Sequence, residues 1–285
     1  MRYFDLHCDT ICEKAKGNKN TAVDLNKADF DEYIQCHAIF QNDSISGKAA
    51  FEKAKGLLKY YREHLVEFEN EKCKSILTLE NGVCLGDDLN NIAFWAKNGA
   101  RICSLTWNGK NKLGYGADHH SQGGLTKFGF DAVSELENNN IIVDVSHLND
   151  DGFFDVARKA RKPFAATHSN CYSLCQHKRN LTDEQIREII SCGGVIGVCF
   201  YPLFLGKGNV FDLIYEHVYK ILDLGGENCV CFGSDFDGAS MSEELNSIAD
   251  INKLYLFFKS KGFDEDLTQK IFFKNGENFL NKCFT

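Results

Sequence analysis

Short runs of apolar residues recur along the chain, and stretches with helical periodicity separate them. Eight runs have the continuous apolar character of strands buried on both faces of a parallel sheet. They are Arg2–Asp9, Tyr33–Phe40, Ser75–Glu80, Arg101–Trp107, Ile141–Ser146, Phe164–His168, Val195–Phe200 and Cys229–Asp235. The helical patterns are Lys48–Glu69, Asp87–Asn98, Lys127–Asn138, Asp151–Ala160, Leu181–Ser191, Phe211–Leu224 and Ile251–Lys261.

This alternation predicts the fold class. Eight strand–helix units in one uninterrupted run are typical of a closed (β/α)8 TIM barrel, an α/β fold, rather than of an open doubly wound sheet. No low-complexity stretch or long linker interrupts the run. We therefore expect residues 1–285 to form a single barrel domain.

Composition and charge narrow the function classes. The 285 residues are 44% hydrophobic, which excludes a disordered chain. The net charge of −8 argues against binding nucleic acid or an anionic membrane. The longest apolar run, Gly193–Gly206, is shorter than the ~18 residues of a membrane span. Thirteen cysteines, an odd number, and a start without an apolar leader indicate reduced thiols in a cytoplasmic protein.

Side chains that can bind a metal or move a proton stand at the carboxyl ends of five predicted strands. They are His7, Asp9, Glu80, His147, His168 and Asp235. The carboxyl ends of all barrel strands meet at one rim, where barrel enzymes carry their active sites. We therefore expect these six side chains to converge.

Imidazole and carboxylate groups in this combination favour metal-assisted hydrolysis. They are suitable ligands for zinc and related divalent ions. His7 and Asp9 could bind one ion, His147 and His168 a second, and Glu80 could bridge ions that lie ~3.5–4 Å apart. A water between the ions would become the attacking hydroxide, and Asp235 would transfer the proton to the leaving group.

Each of these residues, taken alone, also has an ordinary structural explanation. A His-x-Asp pair can hydrogen-bond at a strand end, and Glu80-Asn-Gly82 and Asp235-Phe-Asp-Gly238 are typical of turns. Five strand ends with the same class of residue favour the metal site over five separate structural explanations.

The other histidines are expected to have structural positions. His37 lies inside the second predicted strand and should pack in the core, whereas the pair at 119–120 lies in a long loop. His64, His177 and His217 are expected at the surface. The chain contains neither a phosphate-binding Walker loop nor a Gly-x-Ser-x-Gly elbow.

With these positions placed, the chain resembles the membrane dipeptidase (renal dipeptidase) family of zinc peptidases over nearly its full length. The resemblance rests on separated motifs in the family's order: Asp5-Leu-His-Cys-Asp-Thr10, Leu79-Glu-Asn-Gly82, Asp144-Val-Ser-His147, Thr167-His-Ser169, Lys178-Arg-Asn-Leu-Thr-Asp183 and Gly233-Ser-Asp-Phe-Asp-Gly238. Together these motifs are highly specific. The chain ends without an apolar segment, so we expect a soluble, bacterial-type member without a lipid anchor.

The resemblance implies a (β/α)8 hydrolase that holds two zinc ions, cleaves dipeptides and accepts a D-residue at the C-terminal side. It implies that His7 and Asp9 hold one zinc, His147 and His168 the other, and Glu80 both. It further implies that Asp235 is the catalytic acid/base and that Arg179 binds the substrate's free carboxylate. A guanidinium suits that role because it forms a two-bonded fork with a carboxylate. A homodimer is also implied.

One position departs from the family's pattern. Better-known members carry a histidine after Leu-Thr on strand four, where it stabilises the oxyanion, whereas this chain reads Leu105-Thr-Trp-Asn108. An indole offers one N–H donor and no charge. Loss of an oxyanion donor typically lowers the rate ~10²–10³-fold. We therefore expect Trp107, Asn108 or a metal to take the place of the histidine at the substrate, or the activity to be weak or directed at a different substrate class.

We predict a binuclear zinc dipeptidase that attacks a small peptide substrate with a metal-bridging hydroxide. One alternative on the same metal scaffold is an amidohydrolase-type zinc enzyme that acts on acylated amino acids or lactones, which a pocket filled by Trp107 would favour. Another is a catalytically weak barrel that binds a metal or peptide. Retention of all six site residues favours an enzyme.

Overall fold

Eight parallel strands, hydrogen-bonded in chain order, close into a barrel in the computed structural model, which describes residues 1–120 and 122–284. The strands are β1 Arg2–Cys8, β2 Glu32–Phe40, β3 Cys73–Glu80, β4 Ala100–Ser104, β5 Ile142–Asp144, β6 Ala165–Ala166, β7 Val195–Val198 and β8 Val230–Phe232. Because β8 pairs with β1, the barrel has no free edge. The predicted (β/α)8 fold is confirmed.

The helices lie between the strands and after the last one. They are α1 Thr10–Ala15, α2 Gly47–Glu63, α3 Asn90–Lys97, α4 Lys127–Asn138, α5 Asp150–Lys159, α6 Asp183–Ser191, α7 Pro202–Leu205, α8 Val210–Asp223, α9 Ile251–Ser260, α10 Glu265–Gln269 and α11 Asn275–Phe284. A capping box begins α6, since Thr182 and Gln185 bond reciprocally to each other's backbone N–H.

Two apolar layers stabilise the barrel. The larger layer fills the space between the strands and the surrounding helices and includes Trp95, Phe153 and Phe258. The smaller layer includes Phe4 and Leu6 from β1, packed with side chains from the other strands and with Phe273, Phe279 and Leu280 near the C-terminus. Because the smaller layer fills the barrel interior below the strand ends, the carboxyl ends of the strands are free to carry polar groups.

The prediction that His217 lies at the surface is wrong. Its side chain, on α8, is buried, and its Nδ1 accepts a hydrogen bond of 3.0 Å from the backbone N–H of Cys171. Nε2 lies 3.1 Å from the carbonyl oxygen of Leu205. His217 therefore connects α8 to the loop after β6 and to the end of α7, and burial lowers its pKa to about 4.

His37 is buried, as predicted, with its Nδ1 3.1 Å from Sγ of Cys8. The thirteen cysteines all fall within the described residues and are free thiols. In the same part of the chain, no helix has both the length and the apolar character needed to cross a membrane.

Candidate active site

A cavity of about 410 Å³ opens at the carboxyl ends of the strands. Its size falls within the range of roughly 300–1,000 Å³ that is usual for small-molecule sites. Its lining includes Asp9, Glu80, Trp107, Asn108, His147, His168, Arg179 and Asp235. The structure therefore brings eight of the nine predicted site residues to one cavity, and the ninth, His7, lies beneath it in contact with three of them.

His7 reaches this site because β1 contains a bulge. Asp5 pairs with Gln35 and Cys8 pairs with His37, so three residues of β1 span two residues of β2. A bulge of this kind changes the face to which a side chain points. Leu6 packs inside the barrel, and the imidazole of the next residue still faces the site.

The carboxylate of Glu80 lies between the imidazoles. Its Oε2 is 3.5 Å from Nε2 of His7, and its Oε1 is 2.8 Å from Nε2 of His147. Oε1 is also 3.8 Å from Nε2 of His168. Glu80 thus contacts histidines from three strand ends, which is the placement predicted for a bridging ligand.

The histidines that follow β5 and β6 face each other directly. Their Nε2 atoms are 2.8 Å apart, and the ring of His168 stacks on that of His7 with centroids 3.9 Å apart. Burial lowers the pKa of both His147 and His168 well below the ordinary value, and the positive charges of Arg179 and His7 lower it further. Both imidazoles are therefore neutral, the form that binds a metal.

A hydrogen-bond relay fixes which nitrogen of His168 carries the proton. The hydroxyl of Thr167 donates its only hydrogen to Oδ2 of Asp144 at 2.7 Å, so it must accept from Nδ1–H of His168 at 2.8 Å. Nδ1 of His147 likewise lies 3.0 Å from Oδ1 of Asn108, an acceptor. Both Nε2 atoms then carry a bare lone pair that points into the site.

These contacts fit a bound cation. Nε2 of His147 lies 2.8 Å from both Nε2 of His168 and Oε1 of Glu80, so three potential metal-ligand atoms crowd one point of the site. Nε2 of His7 and Oδ1 of Asp9 are buried without a hydrogen-bond partner among the described residues. Such an arrangement of electron-pair donors is unfavourable unless a positive ion lies among them. Two groups can supply three ligand atoms each within 4.8 Å: His7, Glu80 and His168, and His7, Asp9 and Asp235.

Asp235 stands beside Asp9 because Gly238 leaves room for both. A Cβ at 238 would overlap Oδ2 of Asp9 and Oδ1 of Asp235. Oδ1 of Asp235 is 3.7 Å from Nε2 of His7, and its Oδ2 lies 3.8 Å from Sγ of Cys199. The neighbouring turn is held by Asp237, which accepts hydrogen bonds from Thr10 and from a backbone N–H.

The ionisable groups of the site carry perturbed pKa values. Burial raises the pKa of Glu80, and the negative charge of Asp9 raises it further. Burial also raises the pKa of Asp235, to about 7. Burial lowers the pKa of His7, but Glu80 and Asp9 together outweigh it and raise that pKa well above the ordinary value. Carboxylates crowded out of water in this way are typical of functional sites.

Arg179 brings an unpaired positive charge to the same cavity. Its side chain is 4% exposed, and none of its three guanidinium nitrogens has a hydrogen-bond partner among the described residues. Its carbon Cζ lies 5.4 Å from the ring centroid of Phe204. Because a buried guanidinium without partners is costly, the arrangement indicates that an anionic ligand completes it.

Trp107 and Asn108 occupy different environments in the cavity wall. The indole of Trp107 packs edge to face on Phe40, with ring centroids 5.3 Å apart. The side chain of Asn108 contacts His147, so in this structure its amide orients an imidazole. Contact of either residue with substrate remains a prediction.

Sequence reasoning missed the residues that orient the histidines. Asp144 and Thr167 lie in the same sequence motifs as His147 and His168, but the motifs assign roles only to the histidines. A buried Asp at the end of a strand, close in sequence to a candidate ligand, is the signal that could have identified them.

Comparisons with known proteins place the chain in a family. The family model for membrane dipeptidases, peptidase family M19, matches residues 41–281. An uncharacterised protein in the pqqA 5′ region of Klebsiella pneumoniae is 36% identical over 202 residues, which are 67% of this chain and 73% of that protein.

Solved structures share the fold over almost the whole chain. A metallopeptidase from Rhodobacter sphaeroides, liganded with a phosphinate mimic of the dipeptide L-Ala-D-Ala, superposes with a TM-score of 0.86 at 24% identity, covering 99% of both chains. The dipeptidase AC of family M19 superposes with a TM-score of 0.88 at 24% identity, covering 99% of this chain and 98% of that one.

Proposed function

Because the chain belongs to the membrane dipeptidase family (peptidase family M19) and is a metal-dependent dipeptidase, we propose that it hydrolyses dipeptides with two zinc ions at the rim of the barrel. One observation carries this proposal. Imidazole and carboxylate groups that can donate electron pairs to a cation converge in the same cavity as Arg179, which is buried and has no anionic partner among the described residues. The first set suits divalent cations, and the guanidinium suits a free carboxylate.

The proposed zinc ligands are the five side chains that face one another across the rim: His7, Asp9, Glu80, His147 and His168. Two divalent cations held there would polarise the scissile carbonyl and make an attacking water more acidic. The protein's part is to keep the Nε2 atoms of His147 and His168 unprotonated and to hold the carboxylate of Glu80 between His7 and His147.

Arg179 would select short substrates with a free C-terminus. Its guanidinium can donate two parallel hydrogen bonds to the terminal carboxylate and so hold the peptide bond over the rim. The guanidinium is already desolvated and rigidly placed against Phe204, so little ordering is needed on binding. A longer peptide presents an uncharged amide at that position and would leave the charge unpaired. This explains a preference for dipeptides.

Asp235 would move the proton. Its carboxylate borders the cavity and lies 3.7 Å from Nε2 of His7, close to the metal ligands. A carboxylate at that position can take a proton from the attacking water at Oδ1 or Oδ2 and deliver it to the nitrogen of the departing amine. Asp235 is therefore proposed as the catalytic acid/base.

The test is amino-acid release from a panel of L-L and L-D dipeptides by zinc-loaded protein, with Asp235→Asn as the matched variant. We expect Asp235→Asn to retain zinc but to lose ~10²–10⁴ in kcat, as loss of a general base does. Arg179→Lys should raise KM for dipeptides, and dipeptide amides should be poor substrates for the unchanged protein.

Failure to cleave any dipeptide with two zinc ions bound would contradict the proposal. Turnover of acylated amino acids or lactones in the same assay would then identify the alternative hydrolase. A kcat that Asp235→Asn leaves unchanged would remove that residue from the mechanism while leaving the dipeptidase intact.

A further inference from the structure

Two aromatic side chains form an uncharged wall on one side of the cavity. Phe40 is the last residue of β2, and Trp107 lies in the loop after β4, so the pair extends over the end of β3. The two rings meet edge to face at an interplanar angle of 63° and are both half-buried. The ring centroid of Trp107 is 6.4 Å from that of His147, which places this wall, called here the Phe40–Trp107 wall, beside the proposed metal ligands.

Arg179 lies across the barrel from this wall. It belongs to the loop after β6, and in a closed ring of eight strands β6 is opposite β2. The guanidinium packs on Phe204, which follows β7, the strand opposite β3. The proposed carboxylate subsite and the aromatic wall therefore face each other with the metal ligands between them.

This arrangement fixes the direction in which a dipeptide would bind, given the proposed function. If the C-terminal carboxylate pairs with Arg179 and the scissile carbonyl lies over Glu80 and the histidines, the N-terminal residue must extend toward the far side. The far side is the Phe40–Trp107 wall. Its two rings offer apolar surface and no charge, so a charged side chain packed against them would lose hydration without an ionic partner from either ring.

We propose that the Phe40–Trp107 wall is the subsite for the side chain of the substrate's N-terminal residue and that it selects large apolar side chains, aromatic or branched aliphatic. Burial against two rings favours such groups because each methylene removed from water is stabilising. An aromatic substrate side chain gains further from edge-to-face packing. This inference rests on the proposed dipeptidase function and names its substrate class, dipeptides with a large apolar N-terminal residue.

The first measurement is kcat/KM for pairs of dipeptides that share their C-terminal residue and differ only at the N-terminal one. We expect Phe-X and Leu-X to exceed Gly-X by about tenfold or more, as one or more methylenes in an apolar pocket produce. Phe40→Ala and Trp107→Ala should each reduce this ratio to less than about threefold, chiefly through KM for the large substrates. Trp107→Phe should restore most of it.

Tyr201→Leu is the matched control, because Tyr201 lines the opposite side of the same cavity and packs on Phe204 at 5.0 Å. It should leave the N-terminal preference of the enzyme unchanged. Circular dichroism and zinc content show that each variant is folded and loaded. A ratio near one in the unchanged protein, or a ratio that survives both alanine substitutions, would overturn the subsite.

A binding measurement keeps the subsite testable without turnover. Trp107 is the indole that lines the cavity, whereas Trp95 is fully buried and donates to the carbonyl of Cys84. Phosphinate dipeptide mimics with a benzyl group or a hydrogen at the N-terminal side chain can therefore be titrated by tryptophan fluorescence. Tighter binding of the benzyl mimic, lost in Phe40→Ala, supports the subsite even if no dipeptide is cleaved. Equal binding of both mimics contradicts it.

Discussion

The two halves of the barrel bring ligands to the same rim by different means. β2 and β3 are paired at eight successive positions, from Tyr33 opposite Cys73 to Phe40 opposite Glu80. β5 and β6 share one such pair, Asp144 with Ala165. The long ladder ends directly at Glu80, whereas the short strands stop before their histidines and leave those positions to be fixed otherwise.

Buried polar side chains fix the positions of the histidines in the half of the barrel that contains β5 and β6, called here the short-strand half. Oδ1 of Asp144 accepts hydrogen bonds of 3.0 Å from the backbone N–H groups of both Ser146 and Thr167. The amide of Asn170 bonds both the N–H and the carbonyl of Cys199. These contacts replace the ladder between neighbouring strands after the backbones diverge, so orientation of the histidines depends on a few side chains.

Asp144→Ala should produce the largest effect that this comparison predicts. It leaves two buried N–H groups and two buried hydroxyls without their acceptor, and each such group is costly. We expect the free energy of unfolding of the zinc-free protein to fall by about 3 kcal/mol or more. Urea denaturation measures that loss, and zinc content after dialysis should fall as well.

Tyr61→Phe is the matched control in the long-ladder half. It removes one partly buried hydrogen bond of 2.6 Å, from Tyr61 on α2 to Ser75 on β3, with almost no change of shape. We expect a loss of about 1 kcal/mol and no change in zinc content, because the ladder holds β3 without it. Equal effects of the two variants on zinc would show that the two halves are not held differently.

The same contrast explains what could be predicted from the sequence. The first three strands were predicted to within two residues at each end, because long ladders need long apolar runs. In the second half the apolar runs continue beyond the ladder: Phe164–His168 was predicted as a strand, but β6 is Ala165–Ala166. Apolar residues in the sequence indicate that a segment is buried. They do not show whether its backbone pairs with a neighbouring strand or forms a buried loop that side-chain hydrogen bonds hold in place.

The candidate site was more predictable than the contacts that orient it. Its residue types at strand ends are chemically distinctive, and barrel geometry brings all strand ends together. The bulge in β1, the contact of Thr167 with Asp144 in the relay and the burial of His217 depend on pairing across 20 residues or more in sequence. A local pattern can mark one partner, such as a buried Asp beside a candidate ligand, but it does not show which distant residue that partner contacts.

The next prediction concerns the pH dependence of stability and His217, which connects α8 to the short-strand half. His217 has an ordinary pKa of 6.5, and burial lowers it to about 4 in the folded protein. Between these values the unfolded chain binds a proton that the folded protein does not, so stability falls as pH falls from about 6.5 to 4. The loss attributable to this residue is on the order of 3 kcal/mol.

The check is urea denaturation from pH 7 to pH 4 in zinc-free protein, compared with His217→Gln. The variant cannot gain that proton, so its stability should decline less steeply, although it starts lower. His37 on β2 has its pKa lowered to about 3 by burial and remains in the variant, so part of the decline persists. Parallel curves for the two proteins would show that His217 does not carry the pH dependence.

Among the side chains that orient the histidines, the smallest expected effect on stability, and the sharpest test of the relay, come from Thr167→Val. Valine keeps the shape of threonine but neither accepts from Nδ1–H of His168 nor donates to Asp144. We expect a stability loss of about 1–2 kcal/mol and a 10–100-fold weaker zinc affinity, since partners of this kind fix the ring and its tautomer. Thr167→Ser restores the hydroxyl and should restore zinc affinity, measured by competition with a chelator.

Nitrogen-15 NMR of the zinc-free protein should show His168 protonated at Nδ1 with serine or threonine at 167 and a mixture of tautomers with valine. If valine leaves both the tautomer and the affinity unchanged, packing alone orients His168, and the short-strand half needs no hydroxyl relay to match the precision of the long ladder.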